Sequence, residues 1–177
     1  MKKSLVGEQI SLTKKLILPP EITELKGDLI FLAGPIQGVY DWQSQAIDYI
    51  QKLSPETIIA NPRRKYLDKE FDYGKQVDWE VHYLREAAKR GVILFWLAKE
   101  TEHDCGRAYA QTTRFELAEF KKEYGEGTSK IVLGIEEGFT GKRYIARRFS
   151  QDCPAIKICN SLEETCEEAV KVIKTKY

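Results

Sequence analysis

Apolar and polar positions along the chain follow two rhythms. Unbroken apolar runs, "LIFLAG" (29–34), "TIIANP" (57–62), "VILFWLA" (92–98), "KIVLGI" (130–135) and "AIKIC" (155–159), predict strands buried on both faces. Between them the period changes to that of a helix. In "DWQSQAIDYIQKL" (41–53), Trp42, Ala46, Ile50 and Leu53 share one face. "QVDWEVHYLREAAKRG" (76–91) is a second amphipathic helix, with Gly91 as its C-cap. "QTTRFELAEF" (111–120) opens a third, which ends at Gly125 or Gly127. Its expected N-cap is Thr112 or Thr113, and its expected apolar anchors are Phe115, Leu117 and Phe120. "SLEETCEEAVKVIKTKY" closes the chain as a helix with Ser161 and Glu164 as a capping box.

Strands alternating with helices predict an α/β fold, a doubly wound, five-stranded parallel sheet in a three-layer sandwich of flavodoxin-like or Rossmann-like type. Residues 1–25 read as a polar N-terminal extension ending after Pro19-Pro20, and residues 26–177 as a single domain. Ligands of such sheets bind at the carboxyl ends of the strands, where the strand order reverses. That rule nominates "GPIQGVYDW", "NPRRKYLD", "LAKETEHDCGRAYAQTTRFE" and "GIEEGFTGKRY".

Composition narrows the partner. A net charge of +1 gives no pull toward nucleic acid or an anionic membrane, so a small molecule fits better. The N-terminus lacks a sustained apolar core of signal-peptide type, and no run reaches membrane-spanning length, so a cytoplasmic protein is expected. The four cysteines form no C-x-x-C pair, and neither histidine lies at zinc spacing. Reduced thiols are expected, with no metal and no cofactor.

Two carboxylates stand out. On the helical wheel Glu80 projects into an apolar arc built from Trp79, Val81, Tyr83, Leu84, Ala87 and Ala88. A carboxylate on such a face needs a partner or a chemical task; the alternative is a structural ion pair with Arg63 or Arg114. Asp78 falls on the polar side of the same wheel. Glu116 sits on the flank of its apolar face, with Glu119 and Glu123 farther out. Read in the first turn after a strand-to-helix loop, it is either a plain helix acid or a group held at the mouth of the sheet. There the helix dipole and Arg114 would favour its charged form. The glycines of "AGPIQG" fit neither G-x-G-x-x-G nor the P-loop, and Pro35 removes an N–H that a phosphate cradle would use. That stretch is a tight turn, or one that brings backbone close to a flat ligand. "NPRRK" is an anion site or a basic surface turn. Phe31, Tyr40, Trp42, Trp79 and Trp96 are mainly core by periodicity, with those near strand ends free to stack on a planar ring.

Taken in order, "IFLAGPI", Trp42, "NPRR", "FDYGKQVDWE", "GVILFWLAKE", "TTRFELAEF" and "KIVLGIEEGFTGKRY" resemble the nucleoside 2-deoxyribosyltransferase family, nearest its second, deoxyribosyltransferase-like branch, over about residues 28–170. The resemblance implies cleavage of an N-glycosidic bond, with the glutamate of Phe115-Glu116-Leu117 attacking the anomeric carbon. A second acid on the preceding helix, usually aspartate, has Glu80 as its counterpart, and Asp78 is a further candidate donor to the departing base. Phe31 stands where the family often has tyrosine. It further implies substrate contacts from Gly34, Pro35, Ile36, Trp42, Asn61, Arg63, Trp79 and Arg114 along with Phe31. A nucleoside or nucleotide and a free nucleobase are the implied partners, and a homo-oligomer is the implied assembly. Three functions follow from it: base exchange between deoxynucleosides, favoured here; hydrolysis of a nucleoside monophosphate; or a non-catalytic nucleotide-binding or signalling module. Pro35 sits where hydrolytic relatives tend to carry a hydroxyl residue.

Overall fold

The computed structural model describes residues 15–64 and 71–175; residues 1–14 of the N-terminal extension and Lys65 of the basic turn lie outside that range. The described residues form six strands and five helices. In chain order these are β1 (Leu16–Ile17), β2 (Leu29–Ala33), α1 (Trp42–Leu53), β3 (Ile58–Ala60), α2 (Tyr73–Arg90), β4 (Val92–Leu97), α3 (Gln111–Gly125), β5 (Ile131–Ile135), α4 (Lys142–Asp152), β6 (Ile158–Cys159) and α5 (Leu162–Lys174). The sheet order is β1-β3-β2-β4-β5-β6, and every neighbouring pair is parallel. After β3 the chain returns past β2 to place β4 on its other side, so the winding reverses between β2 and β4.

The sheet is doubly wound, as expected, with one strand more. Leu16–Ile17 pairs with Ile59–Ala60 at the edge and converts part of the apparent extension into sheet. Two residues set between Lys15 and Leu18-Pro19 are too short to register as a strand pattern. The second addition is α4, "KRYIARRFSQD", whose apolar stripe is short, with only Phe149 buried and Ile145 packed one turn before it.

Alternate residues of each strand feed two cores. On one face Ile30, Leu32, Ile59, Leu94 and Trp96 pack with Trp42, Ala46 and Ile50 of α1 and with Cys166, Ala169 and Val170 of α5. On the other, Phe31, Ala33, Ile93, Phe95 and Leu133 meet Trp79, Tyr83 and Leu84 of α2, Leu117 and Phe120 of α3, and Phe149. Gly91, the expected C-cap of α2, donates its N–H to Ala87 but has a negative φ of −142°. Close approach is what requires glycine there, since a Cβ would strike the Leu29 carbonyl. At α5 the Ser161 Oγ accepts the Glu164 N–H, while the Glu164 carboxylate takes the N–H of Asn160. Cys105 is exposed, and Cys153, Cys159 and Cys166 are buried, all as free thiols. Among the described residues no helix is long and apolar enough to cross a membrane.

Candidate active site

A cleft of about 1130 Å³ opens where the winding reverses. Its lining joins the end of β2 and the turn after it, Pro62 and Arg64 beyond β3, one side of α2, and the chain from Arg107 into α3. The turn is shaped from behind. A Cβ on Gly34 would run into the Trp96 carbonyl and the Trp42 ring, so backbone proximity demands glycine. The Pro35 carbonyl accepts the indole N–H of Trp42 at 2.8 Å, which fastens the turn to α1.

The helix carrying Glu116 begins differently from the sequence expectation. Its N-cap is Ala110, in left-handed conformation with φ 56°, and no side chain caps the helix. Thr112 and Thr113 are already inside it, and Thr113 is buried. A non-glycine residue at that φ costs roughly 1 kcal/mol. Because α3 starts at Gln111, its first turn holds no acid, and Glu116 lies beyond the strongest influence of the helix dipole. Phe115 is not an anchor. It is 73% exposed and lines the cleft, because Leu117 and Phe120 take the inward arc.

Arg114 does not neutralise Glu116. Its Nη2 donates to the Thr140 carbonyl at 2.6 Å and its guanidinium lies 4.6 Å from the Phe139 ring centre. Burial, then the charge of Glu80, then that of Glu119 push the Glu116 carboxyl up to about 8, the reverse of the expected direction. Glu80 is also raised by burial, opposed by a hydrogen bond from the Gln76 amide and by the charge of Arg64. Arg64, rather than Arg63 or Arg114, is therefore its charge partner. Both carboxyl groups therefore resist ionisation, and the charge of Glu80 is one reason that Glu116 keeps its proton.

Of the expected site residues, Phe31, Gly34, Pro35, Ile36, Glu80 and Glu116 line the cleft. Six others stand off its lining. Asp78 is exposed on α2, as the polar side of the wheel implied. Trp42 is fully buried behind the turn. Asn61 is buried and its Oδ1 accepts the Arg63 N–H. Arg63 donates to Gln43, Ile36 and Tyr40 and pairs with Asp41, so its guanidinium knits the loops together. Trp79 is buried against Phe31 and Tyr83, with its N–H on the Glu21 carbonyl. Arg114 is occupied as described.

Several lining residues escaped the sequence reading. Gln76 and Arg64 were the most legible: Gln76 lies one turn before Glu80, at i−4, and Arg64 is the second arginine of "NPRRK". Arg107 is held by Gln37 at 2.8 Å. Phe71, Tyr73 and Val81 join Phe115 as exposed apolar residues on the same lining. Val81, expected within the apolar arc of α2, reaches the cleft instead of the core.

Comparison with known families supplies an independent line. A family profile described as nucleoside 2-deoxyribosyltransferase like matches residues 28–139 of the 177, a span that includes both Glu80 and Glu116. No curated protein matches the chain.

Proposed function

The chain belongs to the nucleoside 2-deoxyribosyltransferase-like family, and on that premise we propose that it breaks the N-glycosidic bond of a deoxynucleoside and passes the deoxyribosyl group to an acceptor base through an ester on Glu116. The observation that carries this reading is the pair Glu116 and Glu80, raised together in one cleft at the reversal of the sheet.

Two raised carboxyl groups in one cleft suit the reaction. Glu116 passes its proton to the Glu80 carboxylate and becomes the nucleophile. The Glu116 oxygen then bonds to the anomeric carbon as the carbon–nitrogen bond breaks, with the electron pair leaving on the base. Glu80 protonates that base, which avoids expelling it as an anion. An incoming base reverses the steps, returning the proton through Glu80 and freeing Glu116. Phe31, Gly34, Pro35 and Ile36 supply a wall of backbone and apolar surface for the sugar and ring. The exposed aromatics Phe71, Tyr73 and Phe115 offer stacking surface at the same cleft.

A second reading has its own support. Arg64, Arg85 and Arg107 all line the cleft, more cationic lining than an uncharged nucleoside needs. They favour a nucleoside monophosphate, with water as the acceptor and free base as product. Incubation with deoxynucleosides, with and without a second free base, and separately with deoxynucleoside monophosphates, tests both when products are resolved by chromatography. Exchanged nucleoside supports transfer, free base with sugar phosphate supports hydrolysis, and binding without product supports a non-catalytic module.

A further inference from the structure

Gln76 is almost wholly buried, 8% exposed, beside Glu80 on the cleft side of α2. Its amide makes three hydrogen bonds: Nε2 donates to the Pro62 carbonyl at 3.1 Å and to Glu80 Oε1 at 2.7 Å, and Oε1 accepts from Arg64 Nε at 2.8 Å. The orientation of the amide is not free. A carbonyl can only accept, so Nε2 must face Pro62; a guanidinium can only donate, so Oε1 must face Arg64. The group turned toward Glu80 is therefore an N–H donor. Glu80 Oε1 must accept it, and a proton on Glu80 has only Oε2 left to occupy.

We propose that Gln76 is a positioning residue that confines the Glu80 proton to Oε2 and, with Arg64 behind it, keeps that carboxyl ionisable enough to receive a proton from Glu116. Pro62, two residues past β3, and Arg64, seated 5.3 Å from the Phe71 ring centre, fix the amide from two directions. Deletion of the amide frees both Glu80 oxygens, removes a bond that favours the carboxylate, and leaves the Arg64 Nε without its acceptor. The inference rests on the glycosidic reading for its consequence in turnover, but its core concerns the carboxyl group itself.

The test titrates Glu80 directly, by carboxyl carbon NMR of labelled protein, with the resonance assigned by its loss in Glu80→Gln. In Gln76→Leu the Glu80 midpoint moves up by about half to one pH unit, the size of one lost hydrogen bond. Gln76→Asn, which keeps a polar group but shortens it, moves the midpoint the same way and serves if the leucine variant does not fold. The acidic limb of the kcat/KM profile moves with it, and kcat falls about tenfold or more while KM changes less. An unmoved midpoint in a folded variant overturns the proposal. A moved midpoint in a protein that turns over neither nucleosides nor nucleotides leaves the hold on Glu80 standing and sinks the glycosidic reading instead.

Discussion

The two faces of one sheet are built to opposite rules. Toward α1 and α5 the interior is dry and closed: Trp42, Ala46, Ile50, Cys166 and Ala169 are fully buried against Ile30, Leu32 and Leu94. Toward α2 and α3 the packing stops short, and the cleft left at the strand ends contains two carboxyl groups that burial makes harder to ionise. The first face obeys the rule that apolar area leaves water, worth roughly 25 cal/mol per Å². The second holds Glu116 where burial and the charges of Glu80 and Glu119 push its carboxyl up. Both faces bury a hydrophobic core, and the α2–α3 face also opens the cleft with the two raised carboxyl groups.

The sharpest way to separate the faces is to remove a group from each. Glu116→Ala should reduce turnover by about 10³-fold or more, the scale of a lost nucleophile, while the protein stays folded; steady-state kinetics with circular dichroism decides it. Ile50→Ala, on the closed face, should cost about 2–5 kcal/mol in urea denaturation and leave the kcat of the folded fraction nearly unchanged. If Ile50→Ala were cheap, or abolished turnover at full stability, the division would not hold.

Glu116→Gln should move stability the other way. The folded carboxyl titrates at about 8 and an unfolded one near its ordinary value, so the folded state binds the proton more tightly. The wild type therefore loses stability as pH rises between those values, and the neutral amide does not. The variant should gain on the order of 1–3 kcal/mol near pH 8 and almost nothing near pH 4, read as Tm across that range. The same proton sets turnover: kcat/KM should fall above about pH 8, where the pair loses it. The smallest effect belongs to the rim. Phe115→Ala, removing a side chain 73% exposed, should change stability by less than about 0.5 kcal/mol yet raise KM. An unchanged KM would remove Phe115 from the substrate's path.

The closed face was the more legible of the two in the sequence. Strands buried on both sides appear as contiguous apolar runs, and α1, α2 and α5 show their stripes. What stayed hidden depends on tertiary contacts. The two-residue β1 is defined by its pairing with β3, and α4 by little more than Phe149. Glu80 was visible because an acid interrupts an apolar arc. Glu116 stood out only by its place after a strand-to-helix loop and by resemblance, and its environment was misjudged, since its helix starts at a strained Ala110 that no capping signal marks and its pattern leaves Phe115 looking inward. Arg63 and Arg64 show the limit most plainly. They are adjacent and identical in type, yet one binds the loops together and the other reaches the cleft, and only the placement of Gln43, Ile36, Tyr40 and Gln76 decides which.

The central claim is that Glu116 itself carries the sugar. Intact-protein mass spectrometry after rapid acid quenching of enzyme mixed with a deoxynucleoside, followed by peptide mapping, tests it most directly. The account predicts a mass gain of one deoxyribosyl group on the peptide containing Glu116, absent from Glu116→Gln and discharged when an acceptor base is added. Turnover with the label on another residue, or undiminished turnover in Glu116→Ala, would contradict it.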